Sequence, residues 1–297
     1  MRKTTRFRQL LARPGPLVMP FAFDAFSAQL VEAAGFQAVG ITGSGLAASL
    51  LGFPDVGWVT MTEVVTQVRN IVNAVRIPVY TDADTGYGNA LNVMRTIREF
   101  EAAGVGGLFF EDQEAPKKCG HFEGKRVIPR QEMILRIEAA LEARQDPDLV
   151  IVARTDARAV YGLEEAIERG RAYAEAGADA IFVEAPQSVE ELREIAAAIE
   201  APLMVNMVEG GKTPLLSVDE LAAMGYKLIT FSNSLSRTAG WMMQEVLREI
   251  KERGTTKTFL ECMISFQERN QILGLDRVYE LEQRFLPPDG SGASAEE

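Results

Sequence analysis

The stretch Val105-Gly-Gly-Leu-Phe-Phe-Glu111 is one of a series of short apolar runs that alternate with helical patterns along this chain. It is apolar without interruption up to a final carboxylate, a pattern typical of a parallel strand that is covered on both faces. Eight such runs occur from residue 17 onward. The predicted strands are 17–21, 38–42, 79–82, 107–111, 149–154, 180–184, 203–206 and 227–231.

The alternation of strands and helices predicts an α/β fold. Eight strand–helix units with short joints favour a closed (β/α)8 barrel over an open, doubly wound sheet. We expect residues 1–285 to form a single domain, with an N-terminal helix, the barrel, and additional C-terminal helices near 237–252, 257–270 and 276–285. Residues 286–297 are rich in Pro, Gly, Ser and Glu and are predicted to be a disordered tail.

Composition and charge limit the partners that the chain can have. It is 47% hydrophobic and 25% charged, as ordinary globular proteins are, and its apolar runs are too short to span a membrane. A net charge of −11 argues against a nucleic-acid partner. The basic N-terminus lacks the apolar core of a secretory signal, so we expect a cytoplasmic protein.

Acidic residues close two adjacent predicted strands, at the end where barrel enzymes carry their active sites. Asp82 and Asp84 follow the third run, and Glu111 follows the fourth. Carboxylate oxygens without a His or Cys ligand set are typical of Mg²⁺ or Mn²⁺ sites. The alternative is that each acid caps the helix that follows it. We favour the metal because three acids meet at one rim.

Arg154 closes the fifth predicted strand. Its guanidinium is suited to a bidentate grip on a substrate carboxylate. The alternative is an ion pair with Glu184 or Asp156.

A long loop between Glu111 and the helical pattern near residue 129 contains Cys119 and the only histidine, His121. Loops of this length in compact domains are usually lids or binding loops. The neighbouring Lys117 and Lys118 predict a lowered pKa for the Cys119 thiol, which could then exchange a proton near neutral pH. The alternative is a small buried side chain without chemistry. His121 is left open as an acid, a base or an orienting group.

These motifs resemble those of the isocitrate lyase/phosphoenolpyruvate mutase superfamily. The resemblance covers residues 5–285 and is strongest to carboxyphosphonoenolpyruvate mutases and to the lyases for 2-methylisocitrate and 2,3-dimethylmalate. It implies a barrel that assembles as a homotetramer, with the last barrel helix swapped between subunits. The matching motifs are GSG (43–45), DADTGYG (82–88), EDQ (111–113), KCGH (118–121), RTD (154–156) and NMVEGGKTP (206–214).

The resemblance also implies roles for single residues. Asp82, Asp84 and Glu111 hold Mg²⁺, with Asp55 acting through water. The implied catalytic residues are Lys118, Cys119, His121 and Glu184, and Cys119 is the acid that protonates the departing carbanion. His121 and Glu184 position that thiol. The implied contacts of the small carboxylate substrate are Ser44, Gly45, Leu46, Arg154, Asn206, Thr213 and Ser232.

The expected activity is that of a Mg²⁺-dependent carbon–carbon lyase. It cleaves a 2-hydroxy di- or tricarboxylate of the 2-methylisocitrate or 2,3-dimethylmalate type to an α-keto acid, such as pyruvate, and a second carboxylic acid. The base that starts the reaction is left open among a Tyr, an Asp and a metal-bound hydroxide.

Three alternatives to this lyase remain at the sequence level. Carboxyphosphonoenolpyruvate mutases share the loop cysteine. The sequence Phe231-Ser-Asn-Ser234 stands where the lyases carry Tyr-Pro-Leu-Ser, and a serine there is similar to the oxaloacetate hydrolases of the superfamily. The third alternative is not an enzyme: the barrel would bind a metal and a carboxylate without catalysing a reaction.

Overall fold

Eight parallel strands close into a barrel. The computed structural model describes residues 1–286, and in it each strand pairs with the next in the sequence while the first pairs with the last. The predicted (β/α)8 barrel is therefore confirmed. The strands are β1 (Leu17–Ala22), β2 (Val39–Ile41), β3 (Val79–Asp82), β4 (Gly107–Glu111), β5 (Val150–Thr155), β6 (Ala180–Val183), β7 (Leu203–Asn206) and β8 (Tyr226–Phe231).

Helices connect the strands and continue after β8. They are α1 (Lys3–Ala12), α2 (Ala25–Ala33), α3 (Gly43–Leu51), α4 (Met61–Ala74), α5 (Ala90–Ala103), α6 (Arg130–Ala143), α7 (Ala157–Val160), α8 (Leu163–Glu175), α9 (Val189–Ala198), α10 (Val218–Ala223), α11 (Ser234–Arg253), α12 (Phe266–Ile272) and α13 (Leu275–Phe285). Within residues 1–286, no helix is both long and apolar enough to cross a bilayer.

Local sequence sets where these helices begin and end. Thr60 and Glu63 form a capping box that satisfies the first backbone donors of α4. Gly104 ends α5 in the left-handed region, at φ 88°, where a side chain would be strained. Helix ends of this kind return the chain to the start of the next strand. All strands therefore run in the same direction, and their carboxyl ends form one rim.

Aromatic side chains fill the interior of the barrel. The ring of Phe7, on α1, stacks on the ring of Tyr80, with 5.6 Å between centroids, and Tyr80 in turn stacks on Phe109. Phe7 and Tyr80 are fully buried. This packing fills the end of the barrel where the strands begin, which leaves the carboxyl ends of the strands as the open rim.

The chain divides into two compact units. The first, Met1–Gly240, contains the whole barrel, and the second begins at Trp241. In the second unit a 3-10 helix, Lys257–Cys262, precedes α12, so the predicted continuous helix over 257–270 is wrong. Ser265 interrupts it, because its hydroxyl accepts the N–H of Glu268 as an N-cap.

The remaining predictions about chain organisation are not decided by this architecture. The single domain over residues 1–285 and the swapped C-terminal helices stay predictions. Beyond Leu286, the predicted disordered tail lies outside the described residues.

Candidate active site

Side chains from separate strands converge on one pocket at the carboxyl rim. The predicted site residues that line it are Ser44, Asp55, Asp82, Cys119, His121, Arg154, Glu184, Asn206 and Ser232. Other predicted residues lie close by but do not line this pocket. Leu46 packs in the core between barrel and helices, and Thr213 is buried. Lys118 is exposed, and its ammonium donates to the carbonyls of Glu123 and Gly124.

The predicted metal-binding acids surround a lysine ammonium. Lys117 Nζ lies 2.7 Å from an oxygen of Asp55 and 2.8 Å from an oxygen of Asp84. Burial lowers the pKa of Lys117, but the attraction of Asp84 and Asp55 outweighs it and raises this pKa well above its usual value. Lys117 is thus a cation, and within residues 1–286 no three acidic, His or Cys side chains stand in a metal-binding arrangement.

The alternative role for these acids, as helix caps, is not what the structure shows. Asp82 accepts the backbone N–H of Asp84 at 2.8 Å, within the turn that ends β3. The helix that follows is capped by Asn89, and α6 begins after Pro129.

Charge is costly at Asp82 and Glu111. Loss of hydration raises the pKa of Asp82 to about 7; Lys117 opposes this rise and Asp84 adds to it. Burial likewise raises the pKa of Glu111, against the effect of Arg154. Its Oε1 accepts a hydrogen bond from Gln113, whereas its Oε2, among the described residues, accepts no hydrogen bond and faces the Arg154 guanidinium. These carboxylates therefore favour a nearby positive charge.

Arg154 is buried among acids, yet its guanidinium lines the pocket. Asp156 binds it in a bidentate manner, at 2.9 Å to Nε and 3.1 Å to Nη2. A Glu111 oxygen lies 3.2 Å from Nη1, and a Glu184 oxygen 3.8 Å from Nη2. The ion pairs considered as the alternative therefore exist, and they hold the guanidinium in one plane at the pocket wall.

The Cys119 thiol differs from its prediction. Burial raises its pKa, and the backbone N–H of His121, which donates to the sulfur, only partly opposes this. The predicted lowering is wrong because neither lysine serves the thiol: Asp55 and Asp84 engage Lys117, and Lys118 turns to backbone carbonyls. At neutral pH the thiol therefore keeps its proton.

His121 is held in one orientation by the chain after β7. The backbone N–H of Lys212 donates to Nδ1 at 3.1 Å, and Nε2 faces Glu184 Oε1 at 3.5 Å. Burial lowers the pKa of His121, with Glu184 opposing, so the ring is neutral. Because Nδ1 accepts a hydrogen bond, its single proton is on Nε2. The orientation of the imidazole is therefore set by Lys212 and Glu184.

The far side of the pocket is polar and uncharged. Ser44 donates to Asn233 at 2.8 Å, and Asn206 donates to Ser232 at 3.0 Å. The N-terminus of α3 opens at the same place, and Gly43 is required there because a Cβ would lie 2.6 Å from an oxygen of Asp82. This half of the pocket can bind oxygen atoms through neutral donors and a helix N-terminus.

Two residues of this region carried no assigned function in the sequence, Lys125 and Asn233, and Lys117 was assigned only an effect on the Cys119 thiol. Lys125 is buried, and its ammonium donates to an oxygen of Asp156 at 2.7 Å. Arg154 and Lys125 overcome the cost of burial and lower the pKa of Asp156 to about 2. A lysine in a polar loop gives no local signal that it will be buried, because its partners come from distant strands.

The sequence of the barrel identifies its family. A profile of the phosphoenolpyruvate phosphomutase family matches residues 7–251. The chain belongs to the phosphoenolpyruvate phosphomutase family. The predicted membership of the isocitrate lyase/phosphoenolpyruvate mutase superfamily is thereby confirmed, and the chain is an enzyme of that superfamily.

Relatives within this family carry out different reactions. The 2,3-dimethylmalate lyase of Eubacterium barkeri is 45% identical over 96% of this chain and 99% of its own length. The structure of oxaloacetate acetylhydrolase with 3,3-difluorooxalacetate has a TM-score of 0.91 at 34% identity and covers 95% of this chain and 96% of that one. Phosphonopyruvate hydrolase in complex with oxalate and Mg²⁺ has a TM-score of 0.88 at 30% identity, covering 97% and 100%.

Proposed function

We propose that this enzyme is a Mg²⁺-dependent carbon–carbon lyase that cleaves a 2-hydroxy dicarboxylate to an α-keto acid, such as pyruvate, and a second carboxylic acid. The observation that carries the proposal is the thiol of Cys119, which keeps its proton and lines the same pocket as Arg154. A bond cleavage that leaves a carbanion requires such a proton donor. The similarity to 2,3-dimethylmalate lyase supports the reaction type.

Three carboxylates at the rim have the donor chemistry that a divalent cation requires, and in this arrangement the Lys117 ammonium, which pairs with Asp55 and Asp84, partly neutralises them. Glu111 Oε2 is a buried carboxylate oxygen that accepts no hydrogen bond among the described residues and has only an ion-pair contact with Arg154 Nη1 at 3.2 Å, and Asp82 is poorly hydrated. Asp82, Asp84 and Glu111 would hold Mg²⁺, and Asp55 would act through water. When bound, the ion supplies positive charge that stabilises the oxyanions of the substrate. The related phosphonopyruvate hydrolase with oxalate and Mg²⁺ supports this choice of metal.

Side-chain and backbone groups of the protein bind and orient the substrate. Arg154 grips a carboxylate, and its ion pairs with Asp156 and Glu111 keep the guanidinium from rotating. The backbone at Ser44 and Gly45, in the first turn of α3, receives the α-oxy acid oxygens.

Cleavage then proceeds with a single proton donor. A base takes the proton of the 2-hydroxyl, the C2–O bond becomes a carbonyl, and the C2–C3 bond breaks with its electron pair on C3. Cys119 gives its proton to C3, and the resulting thiolate is reprotonated before the next turnover. His121 orients this step, because Lys212 occupies its Nδ1 lone pair and its Nε2 proton faces Glu184.

The charge of the pocket favours a dicarboxylate over a tricarboxylate. Among the described lining residues, Arg154 is the one permanent cation, and the far wall consists of Asn206, Ser232 and Asn233. Neutral donors can bind one further carboxylate at modest cost. A third carboxylate, buried without a cation beside it, would lose its hydration without a compensating interaction.

Hydrolysis of oxaloacetate to oxalate and acetate is a second candidate, and Ser232 favours it. The Oγ of this serine accepts from Asn206 and lines the pocket, so its own proton is free for a substrate oxygen. The similarity to oxaloacetate acetylhydrolase supports this alternative.

An NMR-monitored substrate panel with Mg²⁺ tests the proposal. It contains 2,3-dimethylmalate, 2-methylisocitrate, isocitrate, oxaloacetate, carboxyphosphonoenolpyruvate and phosphonopyruvate. We expect pyruvate and a second acid from the malate derivative. Oxalate and acetate from oxaloacetate would replace the lyase by the hydrolase, and a rearranged phosphonate product would replace it by a mutase. No turnover of any compound would contradict the proposed function.

We also propose that the enzyme works as a cytoplasmic homotetramer. Large apolar side chains in the second unit are exposed, including Trp241, Leu247 and Phe266, which is typical of a surface that another subunit covers. Light scattering after gel filtration should give about four times the 32.6 kDa mass of one chain. A monomer would contradict this assembly.

A further inference from the structure

Lys125 joins the loop that carries Cys119 to the wall that carries Arg154. This loop, residues 112–129 between β4 and α6, is here called the cysteine loop. The side chain of Lys125 is 1% exposed. Its ammonium donates to the carbonyl of Gly120 and to Asp156 Oδ1. Gly120 stands between Cys119 and His121, so this one contact holds the backbone of both side chains.

Asp156 is a fixed anchor for that lysine. Its carboxylate is fully buried and also accepts both Nε and Nη2 of Arg154. Its backbone N–H donates to Asp112 at 2.8 Å, and Asp112 in turn accepts from Tyr173 and Arg169. A carboxylate restrained on all sides cannot follow a moving loop. The position of Gly120 is therefore set by the strand wall.

We propose that Lys125 is a positioning residue: it locks the cysteine loop onto Asp156 and so fixes the Cys119 thiol relative to the Arg154 guanidinium. An opened loop would break the bond from Lys125 to Gly120 and leave a buried ammonium with one partner fewer, which is costly. The buried charge of Lys125 thus favours the arrangement in which the loop is closed on Asp156. The effect on turnover rests on the proposed function, whereas the effect on the loop does not.

Two variants test this proposal. Lys125→Met removes the hydrogen bonds to Gly120 and Asp156, whereas Lys125→Arg keeps a positive charge and hydrogen-bond donors. Lys3→Met is the matched control, because Lys3 Nζ likewise donates to two backbone carbonyls, those of Val72 and Val75, at the opposite end of the barrel. All variants carry Cys262→Ser, since Cys262 is exposed and would react with thiol reagents.

Two measurements do not depend on activity: the rate of Cys119 alkylation by iodoacetamide, and hydrogen exchange of residues 116–124. In Lys125→Met we expect alkylation and exchange about tenfold faster or more, because an opened loop exposes the thiol. We expect kcat on the substrate that the panel identifies to fall about tenfold or more, with a smaller change in KM. Lys125→Arg should recover most of each effect, and Lys3→Met should behave as the parent.

Alkylation and exchange at parental rates in Lys125→Met would overturn the lock, even if turnover fell. Lys3→Met effects equal to those of Lys125→Met would also overturn it. If Lys125→Met does not fold, Lys125→Gln is judged by the same criteria. A parent enzyme that turns over none of the panel would refute the proposed function and leave the two loop measurements to decide on Lys125.

Discussion

The Cys119 thiol shows how the surroundings of a single residue decide its chemistry. The same side chain beside free lysines would be a thiolate nucleophile. Burial with both lysines engaged elsewhere raises its pKa and keeps the thiol protonated, as the proposed role of proton donor requires. That difference separates a lyase that protonates its product from an enzyme that attacks its substrate.

Replacement of Cys119 tests this role directly. We expect Cys119→Ser to lower kcat by roughly 10²–10⁴-fold, because a hydroxyl is a much poorer acid than a thiol. Binding of oxalate with Mg²⁺, measured by calorimetry, should be nearly unchanged. Cys262→Ser is the matched control and should retain parental turnover. Parental kcat in Cys119→Ser would exclude the thiol as the acid.

His121 can be observed alone because it is the only histidine in the chain. In ¹⁵N-histidine-labelled protein at pH 7 we expect a neutral ring with the proton on Nε2, since Nδ1 accepts the Lys212 N–H. Its lowered pKa also means that the unfolded chain binds a proton first as pH falls below about 6.5, so stability should decrease there. A protonated ring at pH 7 would contradict this assignment.

At the residue scale, the sequence predicted the side chains that end a strand and missed the contacts that join distant segments. Asp82, Glu111 and Arg154 each end an apolar run, so barrel topology alone brings them together. Lys117 and Lys125 sit in a loop without periodicity, and their partners lie far along the chain. The error in the pKa of Cys119 has the same origin.

The cysteine loop is the element on which the site depends. Hydrogen bonds to three successive backbone units hold its tip. The side-chain amide of Gln113 donates to the Lys118 carbonyl and accepts the Lys118 N–H. The Cys119 N–H donates to the Asp55 carbonyl, and the Gly120 carbonyl accepts from Lys125. A bridge between Gln113 and Val127 closes its base. A long loop that is tied at base and tip can place a thiol as firmly as a helix does.

A substitution at Gly120 tests how closely the cysteine loop must approach Glu184. A Cβ at this position would lie 1.9 Å from Glu184 Oε1, so Gly120→Ala must displace the loop or the buried glutamate. We expect kcat to fall about tenfold or more. Gly240→Ala, where a Cβ meets nothing within 4 Å, is the matched control in a helix and should keep parental kcat, with a melting temperature no lower than that of the parent because Ala favours the helix. Parental activity in Gly120→Ala would show that the loop need not approach Glu184 this closely.

For the whole molecule, burial explains both the success and the limits of the sequence analysis. Strands covered on both faces must be apolar throughout, so the runs revealed the barrel and placed every strand limit to within one residue. The helices after β8 carry exposed apolar side chains instead. The helix over 257–270 was misjudged for a local reason, because the Ser265 hydroxyl caps α12 and separates it from the 3-10 helix before it.

The central claim is that a metal-dependent cleavage ends with proton transfer from Cys119. The most direct measurement is NMR-monitored turnover of 2,3-dimethylmalate in ²H₂O, with Mg²⁺ and then with excess EDTA. We expect pyruvate together with a second acid that carries one deuterium at the released carbon, because the thiol proton exchanges with solvent. EDTA should stop the reaction, and Mg²⁺ should restore it. Turnover that persists unchanged in EDTA, or a second acid without deuterium, would contradict the account.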